Sequence, residues 1–223
     1  MLDAKTINME LKWVWRKEIF DYLTEKMNLK RFNYVVDLGC AEAYFKYAIN
    51  PQKYVGVGLL DDPLVAEDQQ KFKIDVAFDI DTKEKWPFED NEFDLVIASQ
   101  VLEHIFHLDE ACKEIKRISK SHILIGLPND MRIDNRILGL FGKNPIGIKK
   151  YGHCKLFDIP LAKAWIKEKF ADTDYECEKI IYFYTIIGQR FVPKFLKRFL
   201  ANLYPNLFAG EVYFLLTKIK SAC

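Results

Sequence analysis

The sequence predicts an α/β protein built on a doubly wound sheet of seven strands. Three observations carry this. Short continuous apolar runs alternate with helical stretches, five such strand-helix steps follow one another, and two further strand-like runs come late in the chain. From Glu10 to Asn28 the residues Leu11, Val14, Trp15, Ile19, Tyr22 and Leu23 recur at helical spacing among charges. Residues 1–30 are therefore expected to form a helical flap on a main domain of residues 31–223. Tyr34 to Leu38 (YVVDL) has the unbroken apolar character of a strand buried on both faces. A short helix fits Ala41 to Ile49, Asn50-Pro51 ends it, and Tyr54 to Val57 is the second strand. Asp61-Asp62-Pro63 opens another turn or helix. Ile74 to Phe78 is the third strand, and Phe93 to Ala98 (FDLVIA) is the clearest buried strand of the set. A helix follows from Leu108 to Ser119, then a strand from His122 to Gly126. Pro128 to Gly152 reads as a long irregular stretch, a functional loop or lid over 128–152. Asp158 caps a helix ending near Phe170. The last part holds a strand from Glu176 to Ile187, a helix from Val192 to Leu203 inside an insertion at 188–208, and a strand from Glu211 to Ile219. Such sheets bind ligands outside the carboxyl ends of their strands, so the loops after Leu38, Val57, Phe78, Ala98 and Gly126 are the places for a site.

Composition narrows the function. Half of the 223 residues are hydrophobic, 14% aromatic and 29% charged, which excludes a disordered or fibrous chain. Lys plus Arg number 33 against 32 for Asp plus Glu, so no long-range field steers the protein onto nucleic acid, and none is expected as a partner. The five cysteines are scattered without a Cys-x-x-Cys pair, which argues against a zinc site or disulfide framework and for a reducing, cytoplasmic setting. Cys40 and Cys154 read as small buried hydrophobes. Neither an apolar leader nor a run of about 18 uncharged apolar residues is present, so a signal peptide and a spanning helix are not expected.

The loops at the strand ends carry a more specific pattern. Val36-Asp37-Leu38-Gly39-Cys40-Ala41-Glu42-Ala43 resembles the first motif of class I S-adenosylmethionine-dependent methyltransferases, an acidic residue followed by glycines at alternate positions. Residues 86–97 (WPFEDNEFDLVI) and Gln100 to Ile105 (QVLEHI) are similar to the fourth-strand region of the small-molecule, type 11 branch of that family. Leu127-Pro128-Asn129 and Gly152 to Phe157 (GHCKLF) resemble the same branch, so the likeness runs roughly from residue 30 to 170. It implies a Rossmann-like seven-stranded mixed sheet with helices on both faces and the last strand antiparallel. It also implies S-adenosyl-L-methionine as cofactor and methyl transfer to an oxygen or nitrogen of a small or medium acceptor, such as a sugar or lipid-linked intermediate.

Residue by residue, the resemblance implies that Asp37, Gly39, Cys40 and Ala41 cradle the methionine end of the cofactor, where close backbone approach disfavours a β-carbon. Ala41 and Ala43 stand where glycines are usual, and a left-handed backbone would cost an alanine about 1 to 2 kcal/mol. The acidic residue that usually ends the second strand and takes the ribose hydroxyls is replaced by Gly58, leaving Asp61 or Asp62 to reach back. Asp79 and Ile80 match the adenine contact, a carboxylate for the amino group and an apolar cover for the ring; Asp79 would otherwise be a helix or turn cap. Ser99 and Gln100 would line the methionine and sulfonium side. The replaced residues leave an alternative of another class open, a non-catalytic protein that kept the fold and lost or weakened cofactor binding. A dinucleotide reductase is disfavoured because no Gly-x-Gly-x-x-Gly turn occurs.

On the acceptor side His153 is the candidate general base, with a backbone-bonded structural histidine as the plain alternative. Asn129, Asp130 and Arg132 are candidate acceptor-binding residues. Glu103, His104 and His107 have the composition of a metal site, but the Leu-Glu-His run reads as a structural turn beyond the fourth strand, and no metal is expected. The stretch from Gln189 to Leu200 sets Phe191, Phe195, Leu196, Phe199 and Leu200 on one helical face beside four cations. A cover over the sheet or a homodimer contact is the favoured account, and peripheral membrane contact through 190–200 the lesser one.

Overall fold

The computed structural model describes residues 17–59, 74–171, 174–183 and 193–219. The chain forms two compact units, Met1–Phe78 and Asp79–Cys223.

In the first unit residues 17–26 form helix α1, whose Ile19, Phe20 and Leu23 are buried, one stripe of an amphipathic helix. Phe20 stacks on Tyr44 at 5.3 Å and meets Phe45 edge-on at 4.4 Å, which fastens α1 to helix α2 (Tyr44–Ile49). Strands β1 (Tyr34–Leu38), β2 (Lys53–Gly58) and β3 (Val76–Ala77) run parallel, in the order β3-β2-β1. Val35, Val36 and Leu38 are wholly buried, as expected of a strand covered on both faces. β3 is shorter than Ile74–Phe78, although Asp75 stays bonded to β2: its N–H donates to the Gly56 carbonyl at 2.8 Å and its carboxylate, in place of a backbone carbonyl, takes the Gly56 N–H at 2.8 Å. Asp61, Asp62 and the turn or helix expected there lie outside the described residues.

The second unit holds β4 (Phe93–Ser99), α3 (Leu108–Ile118), β5 (Ser119–Pro128), α4 (Ile133–Leu140), α5 (Ile159–Ile166), β6 (Tyr175–Phe183), α6 (Lys194–Leu203), α7 (Pro205–Phe208) and β7 (Glu211–Lys218). Its strand order is β4-β5-β7-β6, with β4 and β5 parallel and β7 antiparallel to both its neighbours. The seven strands make the mixed α/β architecture expected, with the last strand antiparallel. Asp158 caps α5 through the Leu161 N–H at 2.7 Å, and the helix continues as a π turn over Lys167–Ala171.

Three expectations need correction. The stretch 128–152 is not irregular: it contains α4 and a π turn at Gly147–Tyr151. Asn135 folds it by donating to the Asp130 carbonyl at 2.9 Å and accepting the Ile146 N–H at 3.1 Å, while Ile137, Leu140 and Phe141 stay exposed, so no buried face marks the helix. The described apolar side chains of α6 do not cover the sheet either, since Phe195, Leu196 and Phe199 are exposed and, among the described side chains, Ala201 is the buried one; Phe191 lies outside the described residues. Cys154 is exposed, and its thiol donates to the Glu103 carbonyl at 3.2 Å. Cys40 is buried as expected. Among the described residues no helix is long and apolar enough to cross a membrane.

Candidate active site

In the first unit the site is a turn. β1 ends at Leu38, and the chain leaves it through Gly39, Ala41 and Ala43, all in the left-handed region with φ of 68°, 45° and 51°. The two alanines thus hold the conformation that glycine adopts freely. The Gly39 and Cys40 N–H groups both donate to the Val57 carbonyl, at 2.9 and 3.0 Å, and the Ala43 N–H donates to the Cys40 carbonyl at 2.8 Å. Asp37 is buried behind this turn and accepts from the Tyr54 hydroxyl at 2.6 Å. Burial pushes its carboxyl up to about 7, the Tyr54 hydrogen bond pulling the other way. Burial first, then the charges of Asp37 and Asp75, push the Cys40 thiol up to about 12, which favours the protonated thiol. A β-carbon on Gly58 would lie 3.0 Å from Ile74 Cδ1, so Ile74 fills part of the space an acidic side chain would need.

In the second unit Asp79 is exposed and its Oδ1 accepts the Asp81 N–H at 2.8 Å, the turn-cap geometry, while Ile80 is buried. Asp81, missed in the sequence, is the better connected acid. It accepts from the Phe106 and His107 N–H groups at 3.0 and 2.8 Å and lies 2.9 Å from His107 Nδ1. Beyond β4, Gln100 takes a left-handed φ of 55° and its N–H donates to the Gly126 carbonyl at 2.9 Å. Its buried Nε2 has no hydrogen-bond partner among the described residues. Ser99 Oγ lies 3.3 Å from the Tyr213 hydroxyl, which donates to Glu211 Oε2 at 2.9 Å.

The expected acceptor-side residues separate into two groups. Asn129 is consumed by structure: its amide donates to the Ala209 carbonyl at 2.8 Å and its oxygen accepts the Met131 N–H at 3.1 Å. Arg132 pairs with Asp134 at 2.7 Å. Asp130 and His153 come together, His153 Nδ1 lying 2.9 Å from Asp130 Oδ1 with side chains 7% and 3% exposed. His153 Nε2 then stands 4.0 Å from Glu103 Oε1, and His104 Nε2 stands 4.0 Å from the same oxygen. Burial, then the nearby Asp130 and Glu211, push the Glu103 carboxyl up to about 8. The cluster is thus Glu103, His104 and His153, with His107 drawn away by Asp81. The spacing of 50 residues between Glu103 and His153 hid this grouping.

An open groove of about 590 Å³ runs along the second unit past Phe106, His107, Cys154 and Trp165. Another, of about 430 Å³, lies at the amino ends of β1 and β2, by Tyr34 and Lys53, the wrong end of the strands for a ligand in this architecture.

A family model described as a methyltransferase domain matches residues 36–124, the stretch that includes the Gly39–Ala43 turn and β4. This part of the chain is similar to a methyltransferase domain. Solved structures similar to the whole chain bear the same description. An S-adenosylmethionine-dependent methyltransferase from Archaeoglobus fulgidus is 19% identical, with a TM-score of 0.57 over 91% of this chain and 94% of that one. Magnesium protoporphyrin IX methyltransferase from Synechocystis, solved with bound S-adenosylhomocysteine, is 13% identical, with a TM-score of 0.56 over 98% and 88%. A Haloferax volcanii methyltransferase, solved in complex with the Trm112 methyltransferase activator, is 18% identical, with a TM-score of 0.54 over 95% and 96%. At such identities the likeness is one of fold. No curated protein matches the sequence.

Proposed function

We propose that the methyltransferase domain moves a methyl group from S-adenosyl-L-methionine to an oxygen or nitrogen of a small or medium acceptor. The backbone at Gly39, Ala41 and Ala43 carries this reading. Left-handed alanines cost about 1 to 2 kcal/mol each, and such strain persists where the surroundings enforce it, typically at ligand clamps. The turn takes the methionine end of the cofactor, and the resemblance assigns Asp79 and Ile80 to the adenine and Ser99 and Gln100 to the methionine and sulfonium side. The orphan Nε2 of buried Gln100 supports that role, because a bound polar ligand would satisfy it.

The sulfonium already carries its leaving group, so the protein chiefly aligns an acceptor atom with the methyl carbon. Where the acceptor must lose a proton, the Asp130–His153 pair is the candidate base: Asp130 orients the ring and Nε2 faces away from it. A sugar or lipid-linked acceptor accords with the exposed Phe195 and Phe199 of α6. The free thiols of Cys40, Cys112, Cys154 and Cys177 accord with work in a reducing compartment such as the cytoplasm.

A second reading, a methyltransferase fold with weak or lost cofactor binding, is favoured by one observation: Gly58 supplies no carboxylate for a ribose and Ile74 packs against it. Calorimetric titration with S-adenosylmethionine and S-adenosylhomocysteine separates the two. Saturable heat with one site per chain is expected; no heat and no thermal shift at millimolar ligand would overturn the enzyme reading.

A further inference from the structure

We propose that Glu103, His104 and His153 form a binding site for one divalent transition-metal ion, of which zinc is the best match. The donor atoms of these three side chains all lie within 4.8 Å of one another, although the residues are distributed over two loops of the second unit. Two imidazoles and one carboxylate are a borderline donor set that suits zinc or iron better than magnesium or calcium.

Two further observations point to a ligand there. The Glu103 side chain is 1% exposed, and its Oε2 has no hydrogen-bond partner among the described residues. A buried carboxylate oxygen left so is costly, and a cation satisfies it. The second is the orientation of His153. Its Nδ1 is held by Asp130, which fixes the ring and turns Nε2 toward Glu103, the carboxylate-histidine arrangement that commonly backs a metal-bound imidazole. Local structure holds this pair in place. A β-carbon on Gly147 would run into both Asp130 Oδ1 and His153 Nδ1, and the Cys154 and Lys155 N–H groups staple the His153 loop to the Glu103 carbonyl at 3.0 Å each.

Metal bonds of about 2.0 to 2.2 Å set tetrahedral donors roughly 3.4 Å apart. The separations, 4.0 Å from each imidazole to Glu103 and up to 4.8 Å within the set, must therefore close: His104, with 39% of its side chain exposed, can approach by rotation, and a turn of the Glu103 carboxylate brings it to His153. Three protein ligands leave a coordination position open for an oxygen-bearing ligand. That this ligand is the methyl acceptor rests on the proposed function; the site itself does not, and with an ion bound His153 Nε2 is a ligand and no longer a base, the ion then lowering the pKa of the bound oxygen in its place.

The test is a titration of the chelator-stripped full chain with Zn²⁺ by calorimetry, with Co²⁺ as an absorbance probe and no S-adenosylmethionine present. One ion per chain, a visible Co²⁺ spectrum of low coordination number and a higher thermal midpoint are expected. His104→Ala and Glu103→Gln should each weaken Zn²⁺ binding at least about 10-fold, and Asp130→Asn about 10- to 100-fold. His107→Ala should leave it unchanged, because that ring serves Asp81. If Glu103→Gln fails to fold, the half-exposed His104→Ala decides. No Zn²⁺ heat, or an affinity unchanged in His104→Ala, overturns the proposal. Cofactor binding, titrated separately on the metal-free protein, reports on the methyl-transfer reading alone.

Discussion

The Tyr54 hydroxyl donates to Asp37 Oδ2 across 2.6 Å, and the carboxylate it serves is almost completely buried. Burial raises the Asp37 carboxyl from 3.8 to about 7, so between those values the folded chain holds a proton that the unfolded chain releases. Stability then falls as pH rises through that window, by about 1.4 kcal/mol for each pH unit crossed. Asp37→Asn keeps an acceptor for Tyr54 and removes the charge. Urea unfolding should show the variant matching the native chain near pH 4 and exceeding it near pH 8; parallel pH profiles would refute the buried charge.

Ala41 and Ala43 share a left-handed backbone but differ in surroundings, Ala41 being exposed and Ala43 wholly buried. Glycine relieves about 1 to 2 kcal/mol of strain at either position and forfeits roughly 0.5 to 1 kcal/mol to a freer unfolded chain. By these figures Ala41→Gly should stabilise by about 0.5 kcal/mol. Ala43→Gly also loses a buried methyl worth about 0.8 kcal/mol, so it should be neutral or slightly destabilising. Thermal unfolding measures both, and S-adenosylmethionine affinity should tighten in Ala41→Gly if the methyl crowds the cofactor.

Gly126 pairs with Tyr213 across β5 and β7, and a β-carbon there would overlap the tyrosine ring. Gly126→Ala should destabilise by about 1 to 3 kcal/mol through overpacking. Tyr213→Phe should lose only about 1 kcal/mol with its bond to Glu211. A Gly126→Ala protein as stable as the native chain in denaturant would show that the ring moves freely.

Arg117 holds the loop before β4. It donates to the Trp86 and Phe88 carbonyls at 3.2 and 2.8 Å, to Asp90 at 2.7 Å and to both Glu114 oxygens at 2.9 and 2.7 Å. An ammonium group cannot span this fork of partners, so Arg117→Lys should cost about 2 kcal/mol despite the retained charge. A chemical denaturation midpoint equal to that of the native chain would count against it.

Much of this fold is legible along the chain because burial on both faces leaves unbroken apolar runs: β1 matches its expected bounds and β4 extends one residue further, to Ser99. α4 escaped notice for the complementary reason, since a helix held by Asn135 with Ile137 and Leu140 in solvent carries no amphipathic stripe. The same contrast runs through the site. Gly39, Ala41 and Ala43 stand out in sequence because a turn is a local object, defined by consecutive dihedral angles. The sequence pointed to Asp79 alone, and only the partners of Asp81, 25 and 26 residues away, mark it as the better connected acid.

Short segments and their periodicity were enough to establish the α/β class and the turn after β1, and consecutive residues carried the resemblance to a methyltransferase motif. Only packing brought His153 to Glu103 and His104 while His107 turns to Asp81, and gave the Asn129 amide its backbone partner, the Ala209 carbonyl. Side chains dozens of residues apart meet only when strands and loops have come together, and a donor or charge takes its role from the partners that packing delivers.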